Sequence, residues 1–387
     1  GMAVSSNDWN FSGDHNRTIE FWIWANLSIQ EANEFLDFND TGTGNDIFSV
    51  NGIDTDIGGT GTVNHTGARF RIWTGNKQIL SIADLTLNVG NFYIGNSLTV
   101  TNNGKITVNG QIYTDWVTTN WINASGSTLT VGNELFQASG RDGNLVASAT
   151  GNTIIYNESA DQEVRDPVNG EYYNLVLAGS ANKTLWDDIK VLNDLTIAST
   201  LNSANYDIEV GGDWTNTNTF VEGTGTVTIN GTASQTITNS TGELFNNLAI
   251  NKASDTLVLG GDVMVSGTLD LISGDVRTGS STLTLGVSGA TIGTLNHTSG
   301  TINGYFERWV NAAATAYLFP VGTVSDYRPA SVTFNNVPSG SLITRFNASS
   351  PGTSGLPLDD AGVDVNNTFV EGFWEFDKSN GLNSSDY

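Results

Sequence analysis

The chain is written in short bursts of alternating side chains. LTLNV (85–89), FYI (92–94), SLTV (97–100), KITV (105–108) and TLTLGV (282–287) set apolar residues against Thr, Asn, Gly and other polar neighbours. A period of two is the mark of a strand with one face buried and the other wet. Pairs of Gly, Asn, Asp or Ser separate the bursts, and gaps this small cannot hold a crossover helix, which excludes a doubly wound α/β sheet. Two all-β solutions remain: stacked antiparallel sandwiches, or a parallel β-helix of ~20 residues per coil.

Internal repetition favours the second. GNTIIYNESADQEV from Gly151 matches GTVTINGTASQTI from Gly225, YYNLVL (172–177) matches FNNLAI (245–250), and VLNDLTI from Val191 matches VSGTLDL from Val265, all at separations of 73 or 74 residues. A weaker copy, TDWVTTNWINASGSTLTV (114–131), lines up with GDWTNTNTFVEGTGTVTI (212–229) and sets Asp115-Trp116 on Asp213-Trp214 and Gln137 on Gln235. Units recurring at unequal intervals with inserted loops point to a degenerate solenoid rather than duplicated globular domains. The expected architecture is therefore all-β: a cap or first coils over 1–60, a parallel (right-handed) β-helix over 61–305, and a small β-sandwich-like module over 306–387.

The open ends of a solenoid expose unpaired backbone and need covering. Residues 18–38 are rich in aromatics, and Ser28 to Glu31 reads as a capping box followed by Ala32, Phe35 and Leu36 at helical spacing. This segment is expected to be the N-terminal cap. From Tyr305 onward proline, arginine and aromatics crowd together, and longer strands are expected over 331–334, 342–346 and 369–376.

Composition sharpens this picture in three ways. Abundant glycine (44) with scarce proline (6) suits many tight turns. The absence of cysteine removes disulfides and thiolate metal sites, and no run approaches the ~18 apolar residues of a membrane-spanning helix. The net charge of −25 repels phosphate backbones and anionic lipid, so neither nucleic acid nor a membrane is an expected partner.

Catalytic chemistry finds little support. Glycoside hydrolysis wants two carboxylates across a groove, but Asp187-Asp188 and Asp359-Asp360 are chain neighbours that a strand sends to opposite faces. His15, His65 and His297 stand in turn-like contexts without a Gly-x-Ser-x-Gly nucleophile, and a third metal ligand is missing. No catalytic residue is expected. Structural calcium is the one cofactor the residues suggest: DFNDTGTGND (37–46) offers Asp37, Asn39, Asp40 and Asp46, although an EF-hand loop would carry glutamate where Phe48 stands. Glu158, Asp161, Glu163 and Asp166 form a second acidic group, and a solvated loop explains either. Trp116, Trp121 and Trp214 are candidates for stacking on a glycan, and packing at the ends of coils explains them equally well.

The run GDWTNTNTFVEGTGTVTINGTASQTI, the following Asn-Leu units, Phe319-Pro320-Val321-Gly322 and Tyr327-Arg328-Pro329 resemble the large secreted surface proteins of Bacteroidetes, adhesin-like or gliding-associated, commonly exported by type IX secretion. The likeness covers roughly residues 145–375. It implies an extracellular or outer-surface location on a Gram-negative cell and a β-helical stalk or adhesive region. It also implies glycans or proteins of other surfaces as partners, and contact with the secretion machinery through a C-terminal sorting domain not read in this sequence. A carbohydrate-binding or polysaccharide-degrading β-helix and a purely structural secretion or motility component are the alternatives.

Overall fold

The computed structural model of the chain describes residues 37–39, 47–50, 56–57, 60–65, 69–72, 75–79, 81–136 and 143–383. Among these, every regular element except the 3₁₀ turn Val168–Gly170 is a β-strand. The expected N-terminal cap helix, at Ser28 to Leu36, lies outside the described residues.

The strands wind into a parallel solenoid with three faces. One coil runs through Asn91–Ile94, Thr99–Asn102 and Lys105–Val108, and the next through Gln111–Tyr113, Asn120–Asn123 and Thr128–Val131. Each strand pairs in parallel with its counterpart one coil on, Phe92 with Ile112, Val100 with Trp121 and Ile106 with Leu129. These define the first, second and third faces. Coils take from 18 residues (Lys183 to Leu201) to 26 (Val276 to Ile302), and about eleven are stacked. Each coil thus satisfies its backbone hydrogen bonds through its neighbours, ~4.8 Å away.

Alternation decides what fills the interior. On the third face Leu85, Ile106, Leu129, Ile154, Leu175, Leu195, Trp214, Ile237 and Leu259 are successive partners, and all are buried. Burying one such aliphatic side chain stabilises the fold by roughly 1.5–3 kcal/mol. The alternate row, Thr86, Thr107, Thr130, Ile155, Val176, Thr196, Thr215 and Thr238, faces outward.

The corners are held by polar side chains that reach across coils. Gln235 is buried, donates from Nε2 to the carbonyls of Val210 (3.0 Å) and Gly212 (2.5 Å), and accepts from Gly231 N at 2.6 Å. Gln162 repeats the arrangement with the carbonyls of Val131 and Asn133 and the amide of Glu158. A buried lysine closes each corner: Lys252 Nζ donates to Gly231 O, Ala233 O and Gln235 Oε1 at 2.7–2.9 Å, and Lys183 Nζ to Glu158 O at 2.8 Å. Burial lowers the pKa of both lysines. The backbone approaches closely here: a Cβ on Gly231 would stand 2.0 Å from the Gly211 carbonyl oxygen.

Aspartates bolt the outside. Asp188 Oδ1 accepts from Asp207 N (2.8 Å) and Asp207 Oδ1 from Thr226 N (2.6 Å). On a neighbouring corner Asp194 accepts from Asp213 N and Asp213 from Thr236 N. Asp161, Asp262 and Asp275 do the same for Asn182, Thr282 and Thr301. Part of the acidity of the sequence is therefore structural, because a carboxylate at a turn caps an amide of the following coil.

The 73-residue repeat is not a whole number of coils. Thr153–Tyr156 lies on the third face, whereas its sequence match Thr226–Ile229 lies on the second, and Asn174–Leu177 and the matching 247–250 differ in the same way. One motif can serve different faces because all three make the same demand, an alternating strand entered through a polar corner.

Parallel pairing continues to Ile302–Val310, and then the direction changes. Gly340–Asn347 pairs antiparallel with that strand, and Phe373–Ser379 pairs antiparallel with Gly340–Asn347. These strands extend a solenoid sheet, where a separate β-sandwich was expected. The hairpin of Ala316–Phe319 and Ala330–Thr333 packs against them through Phe319, whose ring lies 5.9 Å from Phe306 and 6.5 Å from Phe376.

Candidate functional site

The three tryptophans singled out from sequence have different fates. Trp121 and Trp214 are 0% exposed. Both stand on inward positions of their strands, where Trp121 meets Phe92 edge-on at 5.9 Å and Trp214 meets Phe220 and Phe245 at 5.0 and 5.2 Å. An enclosed indole offers no face to a sugar, so the assignment of these two to a glycan strip is corrected: they are lumen residues. Trp116 is 49% exposed. It lies in the turn between Gln111–Tyr113 and Asn120–Asn123, so its alignment with Trp214 joins a turn to a strand.

Beside Trp214 sits a carboxylate that the sequence did not single out. Glu243 is buried and accepts from Trp214 Nε1 (2.9 Å), Asn216 Nδ2 (2.9 and 3.2 Å) and Asn239 Nδ2 (3.3 Å). Burial raises its pKa, and the three neutral donors pull the other way. It is sealed in the lumen and touches nothing that could arrive from outside.

The acidic candidates do not converge. Asp37 and Asn39 belong to the strand Asp37–Asn39, while Asp40 and Asp46 lie outside the described residues. In the second group Glu158 Oε1 accepts from the amides of Ser159 and Ala160, Asp161 from Asn182 N, and Asp166 lies 3.6 Å from Arg165 Nε. Asp187 accepts from Asp188 N and Asp359 from Gly362 N. His297 stacks on Tyr327 at 5.3 Å, with Nε2 2.9 Å from Gly300 O. Among the described residues no three His, Asp or Glu side chains group as metal ligands would.

What the structure does bring together is an outward aromatic corner around Trp116. Tyr93 and Tyr113 are register partners on the first face and point away from the lumen, because Phe92, Ile94 and Ile112 take the inward positions. Their rings meet edge-on at 5.1 Å. The Asp115 carboxylate and the Trp116 side chain lie beside the Tyr93 hydroxyl, close enough to act on its ionisation. Burial first, and the Asp115 charge next, raise the Tyr93 pKa, so the phenol keeps its proton and its role as donor.

The turn that carries Trp116 is fixed from several sides. Thr114 and Thr119 share a hydroxyl hydrogen bond of 3.0 Å, Thr119 Oγ1 donates to Gly95 O at 2.9 Å, and Thr118 Oγ1 donates to Asn96 Oδ1 at 3.0 Å. From the following coil Asn144 Nδ2 donates to Val117 O at 3.0 Å. A half-exposed indole is thus carried on a pinned turn beside a carboxylate. Sequence reasoning found Trp116 but missed Tyr93 and Tyr113. The available signal was a tyrosine on the polar-facing phase of two strands 20 residues apart, where the pattern calls for Thr or Asn.

No known family model matches the chain, and neither a curated protein nor a solved structure matches it.

Proposed function

We propose that this chain is a non-catalytic, adhesin-like surface protein in which the β-solenoid acts as a stalk and display scaffold. One observation carries the reading: a series of polar and acidic side chains of the body is spent on holding coil to coil. Asp188, Asp194, Asp207 and Asp213 cap backbone amides, Gln162 and Gln235 bridge carbonyls, and Glu243 lies sealed in the lumen. A ladder of this kind supplies length and rigidity, and it leaves recognition to corners and ends. The likeness to secreted Bacteroidetes surface proteins supports placing it outside the cell, and the acidic surface suits a protein kept from anionic membranes.

Carbohydrate binding is the second reading, favoured by the exposed Trp116. The test for the first is retention of beads coated with the whole chain on immobilised cells and extracellular matrix polymers, with heat-unfolded chain as control. Retention by the folded chain alone, without release of new reducing ends from polysaccharide, is the expected result. Equal retention of folded and unfolded chain, or steady release of reducing ends, would overturn it.

A further inference from the structure

We propose that the outward corner formed by Tyr93, Tyr113, Asp115 and Trp116 is a binding site for a neutral hexopyranose unit of a polysaccharide. This names a ligand class for the display function above and rests on that reading. The flat C–H face of a pyranose ring matches an indole face, and Trp116 presents one at 49% exposure with the apolar, 61% exposed Val117 beside it. Sugar hydroxyls need directional partners next to that face, and sites for small ligands pair aromatic walls with a few placed polar groups. Asp115 supplies an acceptor: a carboxylate has about four lone-pair positions, enough to take a sugar hydroxyl beside its protein neighbours.

Preorganisation argues for a built site rather than a stray surface tryptophan. Trp116 and Asp115 both lie against the Tyr93 hydroxyl, and the Tyr93 ring is itself packed edge-on against Tyr113 at 5.1 Å. The turn is pinned to the preceding coil by Thr118 and Thr119 and to the following one by Asn144. A ligand arriving here has little side-chain freedom left to freeze. Tyr93 is 2% exposed although it faces away from the lumen, so it supports the platform and Trp116 is the surface that touches. Charge selects the class. Asp115 is anionic and the whole chain carries −25, so an acidic polysaccharide would be repelled and a neutral one would not.

Affinity electrophoresis of the full chain tests this, in gels cast with a soluble glucan, a mannan, a galactan or, as the acidic comparison, alginate. At least one neutral polymer should retard the wild-type chain and alginate should not. Trp116→Ala should weaken retardation ~10-fold or more, as truncating a central aromatic contact does, while Trp116→Tyr keeps part of it. Asp115→Asn, which keeps the size but weakens the acceptor, should fall between them. Thermal unfolding of each variant confirms that the coil is intact. The proposal is overturned if none of the neutral polymers retards the wild-type chain, if alginate does so best, or if folded Trp116→Ala runs as the wild type does. Bead retention that survives Trp116→Ala would remove this site and leave the display function standing. Loss of all retention by the wild-type chain would remove both.

Discussion

In the lumen around Trp214, an indole, two phenylalanines, two asparagines and a carboxylate enclose one another. At the corner around Trp116, a half-exposed indole and a carboxylate stand over two tyrosines, of which Tyr93 is buried. The chemistry is nearly the same, and the difference is which side of the strand the backbone assigns. Inside, Glu243 is buried, and its oxygens accept from Trp214 Nε1 and two asparagine amides. Outside, Asp115 lies beside Tyr93 and Trp116, and the Trp116 indole is half exposed to whatever arrives. Burial turns such a cluster into structure, and exposure leaves it open to recognition.

Substitutions should separate the two. Trp214→Ala removes the largest side chain of its layer and should cost about 3–5 kcal/mol, as buried aromatic truncations do, read from urea or thermal unfolding. Glu243→Ala leaves the Trp214 and Asn216 donors without partners, for roughly 2–4 kcal/mol lost. Gln235→Ala strips the side-chain partner from Gly212 O, Gly231 N and one proton of Lys252, while Val210 O keeps Asn230 N, at roughly 1–3 kcal/mol. Asp207→Ala breaks a single external bolt, to Thr226 N, and should cost about 1 kcal/mol. Trp116→Ala should cost less than ~1 kcal/mol, the scale of a surface change. A Trp116→Ala loss as large as that of Trp214→Ala would dissolve the distinction.

The Glu243 comparison extends to pH. Its pKa is raised in the fold, chiefly by burial, so the folded chain holds this proton more tightly than the unfolded chain does. The resulting stability is present at acid pH and is lost as pH rises from the ordinary glutamate value of about 4.3 through the folded value. Glu243→Gln should flatten that part of the profile of melting temperature against pH. An unchanged slope would show that this carboxylate is not as dry as its surroundings imply.

Much of the fold was legible in the sequence because a solenoid repeats a local rule. Alternation in LTLNV and KITV set the inward and outward rows, and the short polar gaps excluded crossover helices. The phase of the repeat was not legible. The 73-residue spacing joins strands on different faces, since Asn174–Leu177 and 247–250 obey the same alternation on the third and second faces. The same ambiguity set Trp116 against Trp214, and only the coil count separates a turn from a strand. Glu243, Lys183 and Lys252 were missed because a charged residue in a polar string reads as solvated. Their burial depends on corners that bring three segments together, which no local window contains. The direction of the last strands was equally hidden, since alternation looks the same in parallel and antiparallel sheets.

The most direct test of the central claim, that recognition lives on an outward corner of a scaffold whose interior is purely structural, is one binding experiment on two variants. Glucan, mannan and galactan affinities of Trp116→Ala and Trp214→Phe would be measured side by side at a temperature where both are folded. Loss of binding in the first with retention in the second is the predicted result. Binding retained by Trp116→Ala and lost in Trp214→Phe would contradict the account.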